Sequence, residues 1–226
     1  MSDNIFVYPG QGAQQVGMGK EFIAPGSIAE NIWDQANSIV GYDLKEKVLN
    51  GPSSELVRTA ITQSAVYITE IIIYKEFLNS GIKPVAVAGH SLGEYAAVVS
   101  SGALRWEEGL RLVKFRGELF EKAGEENPGG MLAVIGLEED NLKEVLDSAG
   151  GIAQIVNYNS PGQLVVSAEK SLMNKLRKDI KTAGAKLVVP LKVSGGFHSA
   201  LMDPAFEKMK DKLNKADIKA PQIKLY

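Results

Sequence analysis

Short apolar runs and longer helical stretches alternate along the first half of the chain, and their order predicts strand, helix, strand, helix. Residues 4–8 (Asn-Ile-Phe-Val-Tyr) are an apolar run ended by Pro9-Gly10, which reads as a buried strand. A loop follows with glycines at 10, 12, 17 and 19, then helical patterning over roughly 27–49. Residues 62–79 carry Ile68, Ile71, Ile72, Ile73, Phe77 and Leu78, too apolar all round for a surface helix, so a core helix is predicted there. Gly81 and Pro84 are its stop signals. Residues 85–88 (Val-Ala-Val-Ala) have no polar alternation, as expected of a strand in a parallel sheet. Helices are predicted over about 92–100 and 106–123, and the order argues for an α/β layer structure.

After Pro128-Gly129-Gly130 the pattern changes. Strand 131–137, helix 138–149, strands 152–157 and 164–167, helix 171–183 and strand 186–191 give β-α-β-β-α-β, the order of a small independent domain. The reading is an insertion over 128–191 in a larger domain made of 1–127 and 192–226. The chain returns to the larger domain through 193–198 and a helix at 204–214. Residues 220–226 look like the beginning of a strand.

Composition narrows the function classes. With 226 residues, 45% of them hydrophobic and 23% charged, the chain can bury a sizeable core, and disorder is excluded. The net charge of -2 gives no general attraction to nucleic acid or to an anionic membrane. The absence of cysteine rules out disulfides, thiolate metal sites and a cysteine nucleophile. No apolar run reaches the roughly 18–20 residues of a membrane span, and the start lacks the pattern of a signal peptide. The expectation is a cytoplasmic monomer without metal.

Gly89-His90-Ser91-Leu92-Gly93 fits the G-x-S-x-G elbow, and its context fits as well: an apolar strand before it, a helix former after it. Ser91 is the candidate nucleophile, with the glycines expected to let the turn form. The Leu92 N–H, at a helix start, could stabilise an oxyanion. The plainer alternative is a strand-to-helix turn with Ser91 as helix cap. A serine needs a base, and the chain has two histidines, His90 and His198. His90 adjoins the serine, where the turn would point its ring elsewhere, so His198 is the better candidate.

Arg116 has Leu112, Val113, Leu119 and Phe120 as its helical neighbours, which puts it on an apolar face. Arg111, beside Glu107, Glu108 and Lys114, lies on a solvated one. A buried guanidinium requires a partner. That partner is either a protein carboxylate or an anionic substrate group, and its fork suits a carboxylate.

Pro9-Gly-Gln-Gly-Ala-Gln14, Thr62-Gln63, Gly89 to Tyr95, Phe115-Arg-Gly117, Asn157 to Gln163 and Gly196-Phe-His-Ser199 stand in the order seen in malonyl-CoA:acyl-carrier-protein transacylases and the related acyltransferase domains of fatty-acid and polyketide synthases. The chain resembles that family from Ile5 to Tyr226. The resemblance implies a hydrolase-like α/β domain with a ferredoxin-like insertion, and a ping-pong transfer of malonyl from malonyl-CoA to acyl carrier protein through Ser91, with His198 as base and no cofactor. It implies an oxyanion hole from the N–H groups of Gln11 and Leu92, and Arg116 on the malonyl carboxylate with Gln63 lining that pocket. Phe197 stands where methylmalonyl-selective domains usually carry Ser, and Leu92 also matches the malonyl-selective form. The family usually continues beyond the position of Tyr226 with a segment that orients the histidine, so a fragment with weak or no transfer activity is expected. Two other readings share the elbow or the surface: a serine hydrolase or thioesterase, and a non-catalytic module that docks carrier protein. Lys192, Lys208, Lys210, Lys212, Lys215 and Lys219 are either contacts for an acidic carrier protein or a solvated face.

Overall fold

The computed structural model describes residues 3–226 and divides into two compact units, 1–118 with 211–226, and 119–210. In chain order the elements are β1 (Asn4–Tyr8), α1 (Ile28–Val40), α2 (Leu44–Asn50), α3 (Ser53–Leu56), α4 (Thr59–Asn79), β2 (Pro84–Gly89), α5 (Gly93–Ser100), α6 (Trp106–Glu126), β3 (Gly129–Ile135), α7 (Glu139–Asp147), β4 (Ala153–Ser160), β5 (Gln163–Glu169), α8 (Met173–Thr182), β6 (Leu187–Pro190), α9 (Asp203–Asn214) and β7 (Lys224–Leu225). The fold is mixed α/β, with one parallel and one antiparallel sheet. Among the described residues no helix is long and apolar enough to cross a membrane.

The first unit is built on the parallel sheet β1-β2-β7. β7 is the strand anticipated at 220–226, and it pairs Ala86 with Lys224 and Val87 with Leu225. α4 is the core helix read from the sequence: every residue from Ile61 to Ile72 is buried. Its last turn emerges, and Phe77 is exposed. The helix ends as its glycine predicts, with Gly81 left-handed and the Ile82 N–H donating to the Phe77 carbonyl, which satisfies carbonyls the helix leaves open. β1 differs from its expected burial. Ile5 is 60% and Val7 71% exposed while Tyr8 is buried: Ile5 and Val7, two residues apart, share one face of the strand, and that face lies open.

In the second unit β3 is flanked by β5 and β6, giving the sheet order β4-β5-β3-β6, all antiparallel. The β-α-β-β-α-β succession read from the sequence is the one observed. Alternate residues serve two cores. Leu132, Val134, Leu164 and Val166 pack with Leu142 and Leu146 of α7 and Leu176 and Ile180 of α8. Met131 and Val165 point the other way, into a cluster with Ala123, Phe197, Leu201, Met202 and Ala205. The segment that carries His198 is thus anchored to this sheet by its own apolar residues.

Candidate active site

The turn at Ser91 is fixed by backbone packing. The His90 N–H donates to the Tyr8 carbonyl at the end of β1 (3.0 Å), and the Gly93 N–H to the His90 carbonyl (3.1 Å). A Cβ on Gly93 would lie 2.3 Å from the Tyr8 carbonyl oxygen and 2.5 Å from that of Pro9, and one on Gly89 would lie 2.3 Å from the backbone of Gly93 and Glu94. Both glycines therefore serve close approach, helix against strand end. The left-handed conformation falls on Ser91 itself, at φ 53°. A residue with a Cβ adopts it at a cost of order 1–3 kcal/mol and keeps it only where its surroundings insist. Leu92 is wholly buried and leads into α5.

Arg116 reaches Ser91 from α6. Its Nη2 donates to Ser91 Oγ at 3.1 Å, and its Nη1 donates to Gln63 Oε1 at 2.7 Å. The approach of α6 to α4 that allows this depends on Gly117, where a Cβ would come within 3.0 Å of the Ala60 Cα. Arg116 is 7% exposed, and burial pulls its pKa down against the upward pull of Tyr95 and Glu94. A guanidinium remains charged at such a site. Gln63 is fully buried, and the amide orientation follows from its neighbour, since only its oxygen can accept from Arg116. Its Nε2 has no hydrogen-bond partner among the described residues. The side chain of Gln11 donates to Thr59 Oγ1 at 3.4 Å, one helical turn before Gln63 on α4. Arg111, by contrast, pairs with Glu108 at 3.6 Å on the open face.

Phe197 and His198 belong to the second unit. Phe197 is buried, and its carbonyl accepts from Ser167 Oγ of β5 at 2.7 Å. Ser199 Oγ donates to the Gly196 carbonyl (2.6 Å), the Ala200 N–H to Gln154 Oε1 (2.8 Å) and Asn127 Nδ2 to the Leu201 carbonyl (3.3 Å). Between these anchors His198 is exposed, left-handed at φ 63°, and edge-on to Phe120 with ring centres 6.5 Å apart.

Sequence reasoning anticipated Ser91, Arg116 and Gln63, and these three are in hydrogen-bond contact. It passed over Tyr95, whose ring lies 5.8 Å from Arg116 Cζ, and the part Gly117 plays. The i to i+4 spacing of Tyr95 from Ser91 was the available signal for the first, and the Arg-Gly pair for the second.

Residues 5–226 match the acyl transferase domain family. The malonyl CoA-acyl carrier protein transacylase of Bacillus subtilis (strain 168) is 40% identical over 226 residues, covering 99% of this chain and 71% of that protein. Its counterpart in Escherichia coli (strain K12) is 38% identical over 226 residues, covering 99% and 73%. Among solved structures, an acyl carrier protein S-malonyltransferase from Vibrio cholerae O1 superposes with a TM-score of 0.90 at 37% identity, covering 99% of this chain and 74% of that one. A malonyl-transacylase solved in complex with a type II polyketide acyl-carrier protein gives 0.93 at 36% identity, covering 99% and 74%. With an elbow serine in contact with a buried arginine, and with relatives of this closeness along nearly all of its length, the chain belongs to the acyl transferase domain family and, within it, to the malonyl CoA-acyl carrier protein transacylases.

Proposed function

We propose that this chain transfers a malonyl group from malonyl-CoA to the phosphopantetheine thiol of an acyl carrier protein through a malonyl ester on Ser91. The observation that carries the reading is the 3.1 Å contact between the buried Arg116 guanidinium and Ser91 Oγ. It sets a positive charge directly beside the nucleophile, so a thioester with a carboxylate at its far end is held and a plain one is not. Named relatives and the carrier-protein complex of a solved neighbour support both substrates.

In the first half-reaction Ser91 Oγ attacks the thioester carbonyl while His198 takes its proton, and the backbone N–H groups of Gln11 and Leu92 hold the oxyanion. The coenzyme A sulfur leaves with that proton. The carrier-protein thiol then attacks the ester, gives its proton to His198, and Ser91 Oγ recovers one. Arg116 holds the malonyl carboxylate throughout, and Gln63 keeps the guanidinium in place. The chemistry asks for a nucleophile, a base and donors to the oxyanion, and for no redox or metal group. The architecture that goes with this reading is a hydrolase-like domain, 1–127 and 192–226, carrying a ferredoxin-like insertion at 128–191.

The test is Arg116→Ala, with acyl loading of Ser91 followed by intact mass using malonyl-CoA and acetyl-CoA. Removing one partner of a buried charge pair costs about 2–4 kcal/mol, so malonyl loading should fall about 30- to 1000-fold while acetyl loading is kept or rises. Equal losses for both donors would make Arg116 structural. Release of free malonate at a rate rivalling transfer would favour a hydrolase.

A further inference from the structure

We propose that Tyr95 is a positioning residue for the acyl-selecting arginine: its ring holds the Arg116 guanidinium at the height above Ser91 that suits a malonyl carboxylate. The inference rests on the function proposed above and concerns a residue that plays no part in the proton transfers.

The contacts that Arg116 makes through its nitrogens lie in the guanidinium plane, because the N–H bonds do. Nη1 donates to Gln63 Oε1 and Nη2 to Ser91 Oγ. Such bonds fix where the fork sits along its plane, and they resist displacement within the plane more than tilt out of it. The Tyr95 ring meets Cζ at 5.8 Å, with the cation over the ring, within the range where the ring quadrupole attracts a guanidinium. The ring adds an attraction to the cation that the hydrogen bonds to Gln63 and Ser91 do not supply. Burial strengthens the effect, since Arg116 is 7% exposed and little water competes for the cation.

The location of Tyr95 makes the ring a ruler between the two elements. It stands four residues after Ser91, within the first turn of α5, and α5 is seated on the end of β1 through Gly93 and the Tyr8 carbonyl. The ring and the nucleophile therefore share one rigid mount. Arg116 comes from α6, and Tyr95 registers that helix's cation against the α5 serine.

Tyr95→Leu, Tyr95→Phe and Arg116→Ala are compared with the parent chain for loading of Ser91 from malonyl-CoA and from acetyl-CoA, together with thermal melting. The expected result is a ratio of malonyl to acetyl loading about 3- to 30-fold lower in Tyr95→Leu, with acetyl loading within about twofold of the parent, since no cation is needed for it. Tyr95→Phe keeps the π-face and should keep the ratio. Should the leucine variant fail to fold, Tyr95→Met repeats the comparison with an apolar side chain of greater length. An unchanged ratio in the leucine or methionine variant, while Arg116→Ala loses it, overturns the inference and leaves the function standing. Parallel loss of both donors, or a Phe variant as poor as the Leu variant, also overturns it. An Arg116→Ala enzyme with the parent's ratio overturns the function as well, which is a distinguishable failure.

Discussion

Ser91 and His198 are the non-glycine residues that hold a positive φ among the described residues, at 53° and 63°. Each is proposed here for a chemical role, and each pays a conformational cost that its neighbours must sustain. At Ser91 the supports are glycines that act through space. Gly93→Ala would set a Cβ 2.3 Å from a carbonyl oxygen of β1, and backbone cannot swing aside as a side chain can. The expected loss is about 3 kcal/mol or more in urea unfolding, at the upper end of overpacking costs, with loss of acyl loading. Gly41→Ala is the contrast: left-handed at φ 83° with nothing within 4 Å of its Cβ, it should cost only about 1–2 kcal/mol. Equal costs for the two would remove the packing argument. The sequence showed that glycines were needed around Ser91, and it did not show why. A G-x-S-x-G string is compatible with glycines that bend and with glycines that make room, and only the position of the β1 carbonyls tells them apart. The sequence singles out His198 as a candidate base, whereas its backbone strain depends on anchors at Gln154 and Ser167 that lie in other strands.

Elements were legible where one physical signal dominated. α4 was read from its apolar run, and β3 to β6 from alternation and turn residues, because those signals are local. The openness of β1 was not local. An apolar five-residue run looks the same whether one face of its sheet is covered or both are, and what covers a face is decided by elements distant in sequence. The side-chain contact between Arg116 and Gln63 was likewise read only in part. The helical face of Arg116 followed from its i±3 and i±4 neighbours, but the nearness of α4 depends on Gly117 against Ala60. Capping gives an element-level test. Ser27 Oγ accepts from the Glu30 N–H at 3.1 Å, and Glu30 Oε2 accepts at 2.7 Å from the N–H of Gly26, the residue before the cap. Ser27→Ala should lower stability by about 1 kcal/mol and leave acyl loading at the parent rate, since α1 contributes nothing to the site. A change in loading without a change in stability would contradict that assignment.

At the scale of the molecule, the most consequential group outside the site is Glu70, in the middle of α4. It is 6% exposed, and neither carboxylate oxygen has a hydrogen-bond partner among the described residues. Burial pushes its pKa from the ordinary 4.5 up to about 9, so at neutral pH it is carried as the acid. Across that interval the unfolded chain releases the proton and the folded one keeps it. The contribution of Glu70 is therefore fully present below about pH 4.5 and is lost as pH rises toward about 9. Glu70→Met, close in volume, removes both the titration and the unpartnered oxygens. The variant should be more stable than the parent at pH 8, and the gap should shrink as pH falls toward 5, where the ionisation difference fades and about 1–3 kcal/mol, the usual cost of a buried unsatisfied polar group, remains. Trp33 and Trp106, the two tryptophans of the chain, both lie in the unit that contains α4, so fluorescence-detected urea unfolding at several pH values reports on the relevant transition. Parent and variant curves that run parallel across pH would mean that Glu70 ionises in the fold as it does in the unfolded chain, and the linkage argument would fall.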